Sequence, residues 1–260
     1  MDINKDIGTL FARLNDLIKR ANHSEVGVSA FLSPRELHYA QGFLRERGQA
    51  FVTFGGYSDA ERKRVYVLPE YMDGASSVQE LAEFGTELGV CALKVCGSGF
   101  CKLSHRDFMG AVLGLGVERS VIGDIILVED NTAVMICDES IAPFLLVSLD
   151  SVGRDKVKVS RIELGADFVS PRRYAPISDT VASARLDCVV AALCSLSREK
   201  ARQAVLDGAV ELDYGVCEQP DKEIKPASII SVRGYGKFRV LSVGEKTKKG
   251  RYRLQGEKFL

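Results

Sequence analysis

The 260-residue sequence contains no tryptophan and only three histidines, so the commonest general acid–base side chain is scarce. The histidines are His23, His38 and His105. None of them can be assembled with a serine or cysteine and an acid into a nucleophilic triad. His105 does begin a His-Arg-Asp sequence, as in kinase catalytic loops, but the asparagine required five residues after the aspartate is Val112. We therefore predict a protein without enzyme activity.

Long apolar runs and paired cysteines are also missing. The longest apolar stretch, Ile141–Leu149, contains a proline and is far shorter than the ~18 residues of a membrane span. The N-terminus shows no basic-then-apolar leader with a cleavage site. The seven cysteines are odd in number, and Cys91, Cys96 and Cys101 lack the two-residue gap of zinc or iron–sulfur ligands. These absences predict a cytoplasmic protein with reduced thiols, no membrane contact, no metal and no cofactor.

The net charge of zero conceals an asymmetry along the chain. Residues 171–260 hold 17 lysines and arginines against 11 acidic residues, whereas residues 1–170 hold 18 against 24. A basic C-terminal segment suggests a polyanionic partner. Charge alone fits an ordinary solvated surface equally well.

Hydrophobic spacing divides the chain into three small domains of the α+β class, at residues 1–75, 76–166 and 167–260. The first is predicted to be a small α/β domain. Its predicted elements are helices at 3–20 and 33–47, with Ser33 as N-cap and Gly48 as the stop, and strands at 50–54 and 65–68.

The middle domain is predicted to have the β-α-β-β-α-β order of ferredoxin-like and RRM folds. The predicted elements are strands at 90–96, 124–129, 132–137 and 157–164 and helices at 104–115 and 139–149. Ser104 and Asp107 are expected to cap the first of these helices. RRM domains that read RNA stack bases on aromatic residues of their central strands. The candidate strand carries Val157, Val159, Ile162 and Leu164 and no aromatic residue, which favours a scaffold or a backbone-contacting role.

The segment 185–240 is predicted to contain two short helices followed by strands. The first helix runs from Arg185 to Leu196, and Ser197 is placed to cap the second. Three cations, Arg198, Lys200 and Arg202, lie on the second helix, and Gly208 ends it. Cations gathered at one helix start suit a phosphate backbone.

This segment resembles the S4-like RNA-binding domain, also called the αL motif. The matching residues are Arg185-Leu186-Asp187, Ser197-Arg198, Ala201, Val205-Leu206, Gly208, Val210, Ile230–Gly234 and Gly236-Lys237-Phe238. Two turns depart from the motif: Asp213-Tyr214-Gly215 replaces the usual Asn-Gly, and Ala227-Ser228 replaces Gly-Asp. Both departures lie in turns and leave the basic helix unchanged.

The rest of the chain resembles one family with an S4-like domain, the YlmH proteins of bacteria. The resemblance is carried by Leu103–Ala111, Leu113–Val117, Arg119 and Ile122–Ile125, and by Phe54–Tyr57 with Glu61-Arg62. It implies an RNA-binding protein of three small domains on the large ribosomal subunit, acting in ribosome-associated quality control with peptidyl-tRNA. A link to cell division is also attached to the family.

The resemblance and the residue types together predict a non-catalytic RNA-binding site. The expected partners are ribosomal RNA and, in addition, tRNA. We expect no small-molecule substrate, and a monomer. Asp187 is expected to orient an arginine within the domain. The predicted contacts are Arg185, Ser197, Arg198, Lys200 and Arg202 with phosphates, and Arg233, Tyr235 and Lys237 with ribose or an exposed base.

Two other classes of protein stay open at this point. One is an RNA-modifying enzyme, because pseudouridine synthases also carry S4-like modules. Their catalytic aspartate lies in a Gly-Arg-Leu-Asp context, whereas Gly153-Arg154-Asp155 lacks the leucine. The other is an adaptor that meets protein partners through its acidic N-terminal domains.

Overall fold

The structure is a computed structural model that describes residues 3–165, 168–171, 174–247 and 250–259. The chain divides into two compact units, Met1–Pro171 and Arg172–Leu260. The predicted boundary after residue 75 falls inside the first unit, and the predicted boundary at 166–167 lies outside the described residues.

The N-terminal part of the first unit packs helices against a three-stranded antiparallel sheet of order β1-β3-β2. The elements are α1 (Ile3–Asn22), β1 (Gly27–Val28), α2 (Pro34–Glu46), β2 (Phe51–Phe54), β3 (Arg64–Val67) and α3 (Val78–Glu83). Ser33 and Glu36 form a capping box at the start of α2, and Gly48 takes a φ of 63° after its end. The predicted ends of this helix are confirmed to within a residue.

The rest of the first unit is a five-stranded antiparallel sheet of order β5-β6-β4-β8-β7. Its elements are β4 (Val90–Gly97), α4 (His105–Gly114), β5 (Ile122–Glu129), β6 (Thr132–Asp138), α5 (Ala142–Ser148), β7 (Ser151–Val152) and β8 (Asp155–Ile162). Apart from the short β7, this is the predicted β-α-β-β-α-β order. A 3-10 turn at Glu139–Ile141 precedes α5, so the helix begins later than predicted. Phe108 and Leu145 of the two helices are fully buried in one core with Leu93 and Met135 of the central strands.

The second unit is a six-stranded antiparallel sheet of order β11-β10-β12-β13-β14-β9, with two helices on one face. The elements are β9 (Tyr174–Val181), α6 (Leu186–Leu193), α7 (Arg198–Leu206), β10 (Val210–Leu212), β11 (Gly215–Val216), β12 (Ile229–Val232), β13 (Gly236–Lys246) and β14 (Tyr252–Phe259). Val189 and Val205 of the helices are buried in one core with Phe238 and Val240 of β13 and Leu254 of β14.

The predicted end of α6 at Leu196 is wrong by three residues. Ser195 takes a φ of 52°, and the Leu196 amide donates back to the carbonyl of Ala191 at 2.8 Å. This closing turn ends the helix at Leu193 although the apolar pattern continues. Residue 197 is thereby free to begin α7.

Candidate nucleic-acid interface

A buried carboxylate organises the start of the helix pair. The Asp187 side chain is 1% exposed and accepts two hydrogen bonds from Arg185, from Nε at 3.1 Å and from Nη2 at 3.0 Å. Its Oδ1 also accepts from the Cys188 amide at 2.8 Å. Such a two-point pair fixes the plane of the guanidinium group. The structure therefore gives Asp187 the orienting position expected from the sequence.

The same carboxylate reaches the second helix. The Nε atom of Arg198 lies 3.8 Å from Asp187 Oδ2. The side chains of Arg185 and Arg198 remain 41% and 61% exposed, respectively. One buried aspartate thus orients Arg185 by hydrogen bonds and attracts Arg198 by its charge, and both arginines stay accessible to solvent.

The pKa of Asp187 is lowered, so the carboxylate stays ionised. Burial raises this pKa, but the hydrogen bonds from Arg185 and Cys188 and the positive charge of Arg185 outweigh burial. The pKa of Arg185 is raised, mainly by its hydrogen bond to Asp187. The pair is therefore a permanent feature of the folded unit at neutral pH.

Ser197 caps α7 as predicted. Its side chain accepts from the Lys200 amide at 3.3 Å, and the residue itself is exposed. The hydroxyl hydrogen of Ser197 can donate to a phosphate oxygen. The backbone amides in the first turn of α7 that do not donate to a side chain can do so as well.

The three cations of α7 do not share one side of the helix. At about 100° per residue, Arg202 follows Arg198 onto the same flank, whereas Lys200 lies roughly 160° around the helix from both. All three side chains are exposed. Because Arg198 reaches Asp187, the flank of Arg198 and Arg202 is the one that continues into Arg185. Lys200 belongs to the opposite flank.

The predicted contacts in the turn between β12 and β13 lie at the other end of α7. The Arg233 amide donates to the carbonyl of Ala209, just after the helix, at 2.9 Å. Tyr235 is 41% exposed at the tip of the turn. Arg233 and Tyr235 therefore lie near each other in this turn. They lie away from Arg185, Asp187 and Arg198, which we call the Asp187 cluster.

Lys237 lies on the face of the sheet away from the helices. Its Nζ atom is 5.1 Å from the ring centre of Tyr214 and 4.7 Å from that of Phe259. Sequence reasoning did not single out these aromatic neighbours. Phe259 is the last described residue, and only the pairing of β14 with β13 brings it beside Lys237.

Both turns that depart from the S4-like motif keep left-handed backbone. Asp213 and Tyr214 have φ values of 48° and 70°, as a two-residue type I′ hairpin turn requires. Ala227 has a φ of 67°, in the position where the motif has glycine. Asp213, Tyr214 and Ala227 therefore form these turns in a backbone conformation that is strained for residues other than glycine.

The central strands of the middle sheet are β4 and β6, not the strand tested for aromatic residues in the sequence. That strand is β8, which pairs with β4 on one side and only with the two-residue β7 on its outer side. The two central strands also carry no aromatic residue. On the face away from α4 and α5, Ala92 and Ile136 pack with Phe31 and Tyr57 of the N-terminal part. This part of the face is therefore covered, while Lys94 on β4 is exposed.

Among the described residues, no three histidine, cysteine or acidic side chains are arranged to hold a metal ion. Within the same ranges, no helix combines the length and the apolar character of a membrane span.

The fold and the site define a mixed α/β protein of several sheets whose C-terminal unit presents arginines from a helix pair. Two family models match the chain: "YlmH, N-terminal" over residues 9–72 and "Putative RNA-binding domain in YlmH" over residues 86–166. The chain is also 32% identical over 232 residues to the Ribosome-associated protein quality control protein P2 of Bacillus subtilis, covering 89% of this chain and 86% of the relative. The chain belongs to the YlmH family.

A solved structure, the cell division protein ylmH from Streptococcus pneumoniae, is similar with a TM-score of 0.51 at 17% identity. The similarity covers 62% of this chain and 93% of that one. At this identity the similarity shows the fold alone.

Proposed function

We propose that this protein is a non-catalytic, cytoplasmic RNA-binding protein that docks on ribosomal RNA of the large subunit through its S4-like C-terminal unit. We assign it to ribosome-associated quality control, with peptidyl-tRNA as a further contact on the subunit. The name of the B. subtilis relative and the RNA-binding description of the second family model support this role.

The observation that carries the proposal is the Asp187 cluster. A buried carboxylate fixes the exposed Arg185 by two hydrogen bonds, so little freedom of this side chain is lost when it binds phosphate, and the same carboxylate attracts the exposed Arg198 at 3.8 Å. Arg202 extends the same flank, and Ser197 adds a hydroxyl beside the free amides of the helix start. A merely solvated helix has no need of a buried acid to hold its cations.

The other proposed contacts lie outside this flank. Lys200 on the opposite flank of α7 makes a weaker contact to phosphate, as a point charge without a fixed geometry. Arg233 and Tyr235 contact ribose or an unpaired base at the far end of the helix, together with Lys237 on the sheet.

The middle sheet contributes backbone contacts rather than base stacking. Its central strands have no aromatic residue, and part of the face is covered by Phe31 and Tyr57. The exposed Lys94 on β4 and Lys158 on the neighbouring β8 supply cations beside the covered part. This assignment agrees with the description of the matching family model.

The test is co-sedimentation with purified large ribosomal subunits. We expect Arg198→Glu/Arg202→Glu to abolish co-sedimentation, because both charges of the exposed flank are reversed while α7 keeps its buried residues. The matched control is Arg13→Glu/Arg20→Glu, two exposed arginines of α1 with the same change in net charge, which should leave binding intact.

Circular dichroism of the variants checks that the fold is kept. Unchanged sedimentation of a folded Arg198→Glu/Arg202→Glu variant would remove the helix pair from the proposed interface. An equal loss of co-sedimentation in both double variants would mean that binding depends only on the net charge of the protein.

A further inference from the structure

The face of the C-terminal sheet that lies away from α6 and α7 carries aromatic rings interleaved with cations. Phe238 and Val240 on β13 are buried under the helices, so alternation along the strand places Lys237 and Arg239 on the opposite face. We call this group the aromatic–cation row. Its members are Tyr214, Lys237, Phe259, Tyr174 and Arg239.

The members of the row are in contact through their ring faces. Lys237 lies between the rings of Tyr214 and Phe259, at 5.1 and 4.7 Å from their centres. The guanidinium carbon of Arg239 lies 5.3 Å from the ring centre of Phe259 and 5.4 Å from that of Tyr174. The rings of Tyr174 and Phe259 meet edge to face at 5.2 Å. The row is thus continuous from the β10–β11 turn to β9.

The backbone holds the row in place. Phe259 pairs with Tyr174 across β14 and β9, and Arg239 pairs with Glu257 across β13 and β14. At the other end, Tyr214 adopts a φ of 70°, a conformation that is unfavourable for a bulky side chain. The turn therefore places a ring against Lys237 where glycine would be the easier residue.

The charged side chains of this face are three cations and two carboxylates, with a net charge of +1. Lys237, Arg239 and Arg253 project from it together with the carboxylates of Glu211 and Glu257. Glu257 is already close to Arg239, at 3.8 Å. All five members of the row are partly exposed, so ring edges and cations are within reach of a ligand.

We propose that the aromatic–cation row stacks unpaired RNA bases and forms a second RNA-binding surface, on the opposite side of the sheet from the helix pair. Bases stack on aromatic rings and on arginine planes, and neighbouring cations neutralise the phosphates of the same strand. The row selects single strands, because the bases of a duplex expose only their edges. The inference rests on the proposed function only in taking RNA as the partner.

Because the sequence has no tryptophan, the fluorescence of one introduced tryptophan can test the proposal. Phe259→Trp introduces a single indole fluorophore into the row. We expect a 12-nucleotide oligouridylate to quench its emission, and a duplex of the same length with oligoadenylate to leave the emission nearly unchanged. Tyr174→Trp is the second reporter if Phe259→Trp impairs folding. Tyr71→Trp, at an exposed position of the first unit, is the control whose emission should not respond.

Loss of one ring should weaken binding of the same single strand. Stacking on an aromatic side chain contributes about 1–3 kcal/mol per base, so Tyr174→Ala should lower oligouridylate affinity about 5-fold or more. The neutralised pair Lys237→Gln/Arg239→Gln should lower the affinity as well and weaken its dependence on salt.

The Arg198→Glu/Arg202→Glu background separates this inference from the proposed function. Quenching by the single strand in both backgrounds supports an independent surface. No quenching of either row reporter while large subunits still bind, or equal quenching by strand and duplex, overturns the row and leaves the proposed function standing. Failure of the protein to bind both subunits and oligouridylate overturns both.

Discussion

Two pairs of arginines, one pair in each unit of the molecule, have opposite surroundings. In the first unit, Arg62 and Arg64 direct their guanidinium groups inward, to backbone carbonyls and a carboxylate. In the second unit, Arg198 and Arg202 stand exposed at the start of a helix. The first pair therefore joins layers of the fold, whereas the second pair is presented to solvent.

The inward arginines join the two sheets of the first unit. Arg64 on β3 bonds to Asp138 at the end of β6, and also donates to the carbonyls of Ser29 at 2.9 Å and Gly89 at 2.8 Å. Asp124 on β5 accepts from the Tyr57 hydroxyl at 2.6 Å and from the Glu61 and Arg62 amides at 2.7 and 3.0 Å.

The pKa of an arginine in this protein depends on whether its side chain is buried or is paired with a carboxylate. Burial lowers the pKa of Arg62, and lowers that of Arg119 to about 10 with help from the charge of Arg62. The hydrogen bond to Asp187 raises the pKa of Arg185. Burial and bonding, not the count of positive charges, thus distinguish structural arginines from candidate RNA contacts.

The largest expected effect comes from Arg64→Ala. The substitution leaves Asp138, whose side chain is only 17% exposed, without its charged partner, and we expect a loss of about 3–5 kcal/mol of unfolding free energy. Urea denaturation followed by circular dichroism measures this loss. The control Arg20→Ala, on the exposed side of α1, should stay within about 0.5 kcal/mol. A similar stability for both variants would refute the structural role of the inward Arg64.

A smaller, pH-dependent effect is expected from Asp187→Asn. At neutral pH the variant should lose about 1–3 kcal/mol of unfolding free energy, because a buried charge-assisted network is broken. The folded pKa lies below the unfolded value of about 3.9, so this contribution is present above that pH and is lost as the pH falls through the folded pKa. The difference between wild type and variant should therefore shrink in acid.

Unfolding curves at neutral pH and at about pH 3 measure this convergence. Asp207→Asn, at an exposed position near the end of the same helix pair, is the control and should change little at either pH. A difference that stays constant with pH would mean that Asp187 does not act through its charge.

The smallest expected effect distinguishes the two flanks of α7. With RNA extracted from large subunits, Arg202→Gln should reduce the slope of log affinity against log salt by about one phosphate contact. Lys200→Gln, on the opposite flank, should reduce it by less. Filter binding over a range of salt concentrations measures both slopes, and a larger change for Lys200→Gln would reverse the assignment of the flanks.

Features that depend on a few neighbouring residues were predictable. The caps at Ser33, Ser104 and Ser197 are present, and Gly208 follows α7 with a φ of 64°. The order of elements in the middle sheet was also predictable, because each helix and strand has its own hydrophobic period. The RNA-contact roles of the C-terminal residues stay predictions.

Features that depend on distant pairing were missed. Strand β9 was not predicted, and it pairs with β14 more than 70 residues later in the chain. That pairing brings Tyr174 to Phe259, and no local pattern indicates it. The wrong choice of central strand has the same origin, since β4 lies between β6 and β8 only in the folded sheet.

The sequence by itself determined where the capped helices begin, the order of the elements in the middle domain and the basic character of the C-terminal segment, because these follow from short-range hydrogen bonds, hydrophobic spacing and composition. Only the tertiary structure decided which arginines point inward, that Asp187 holds Arg185 and Arg198 together, and that aromatic rings alternate with cations on one sheet face. Burial and strand pairing join residues far apart in the chain, and therefore appear only once the chain has folded.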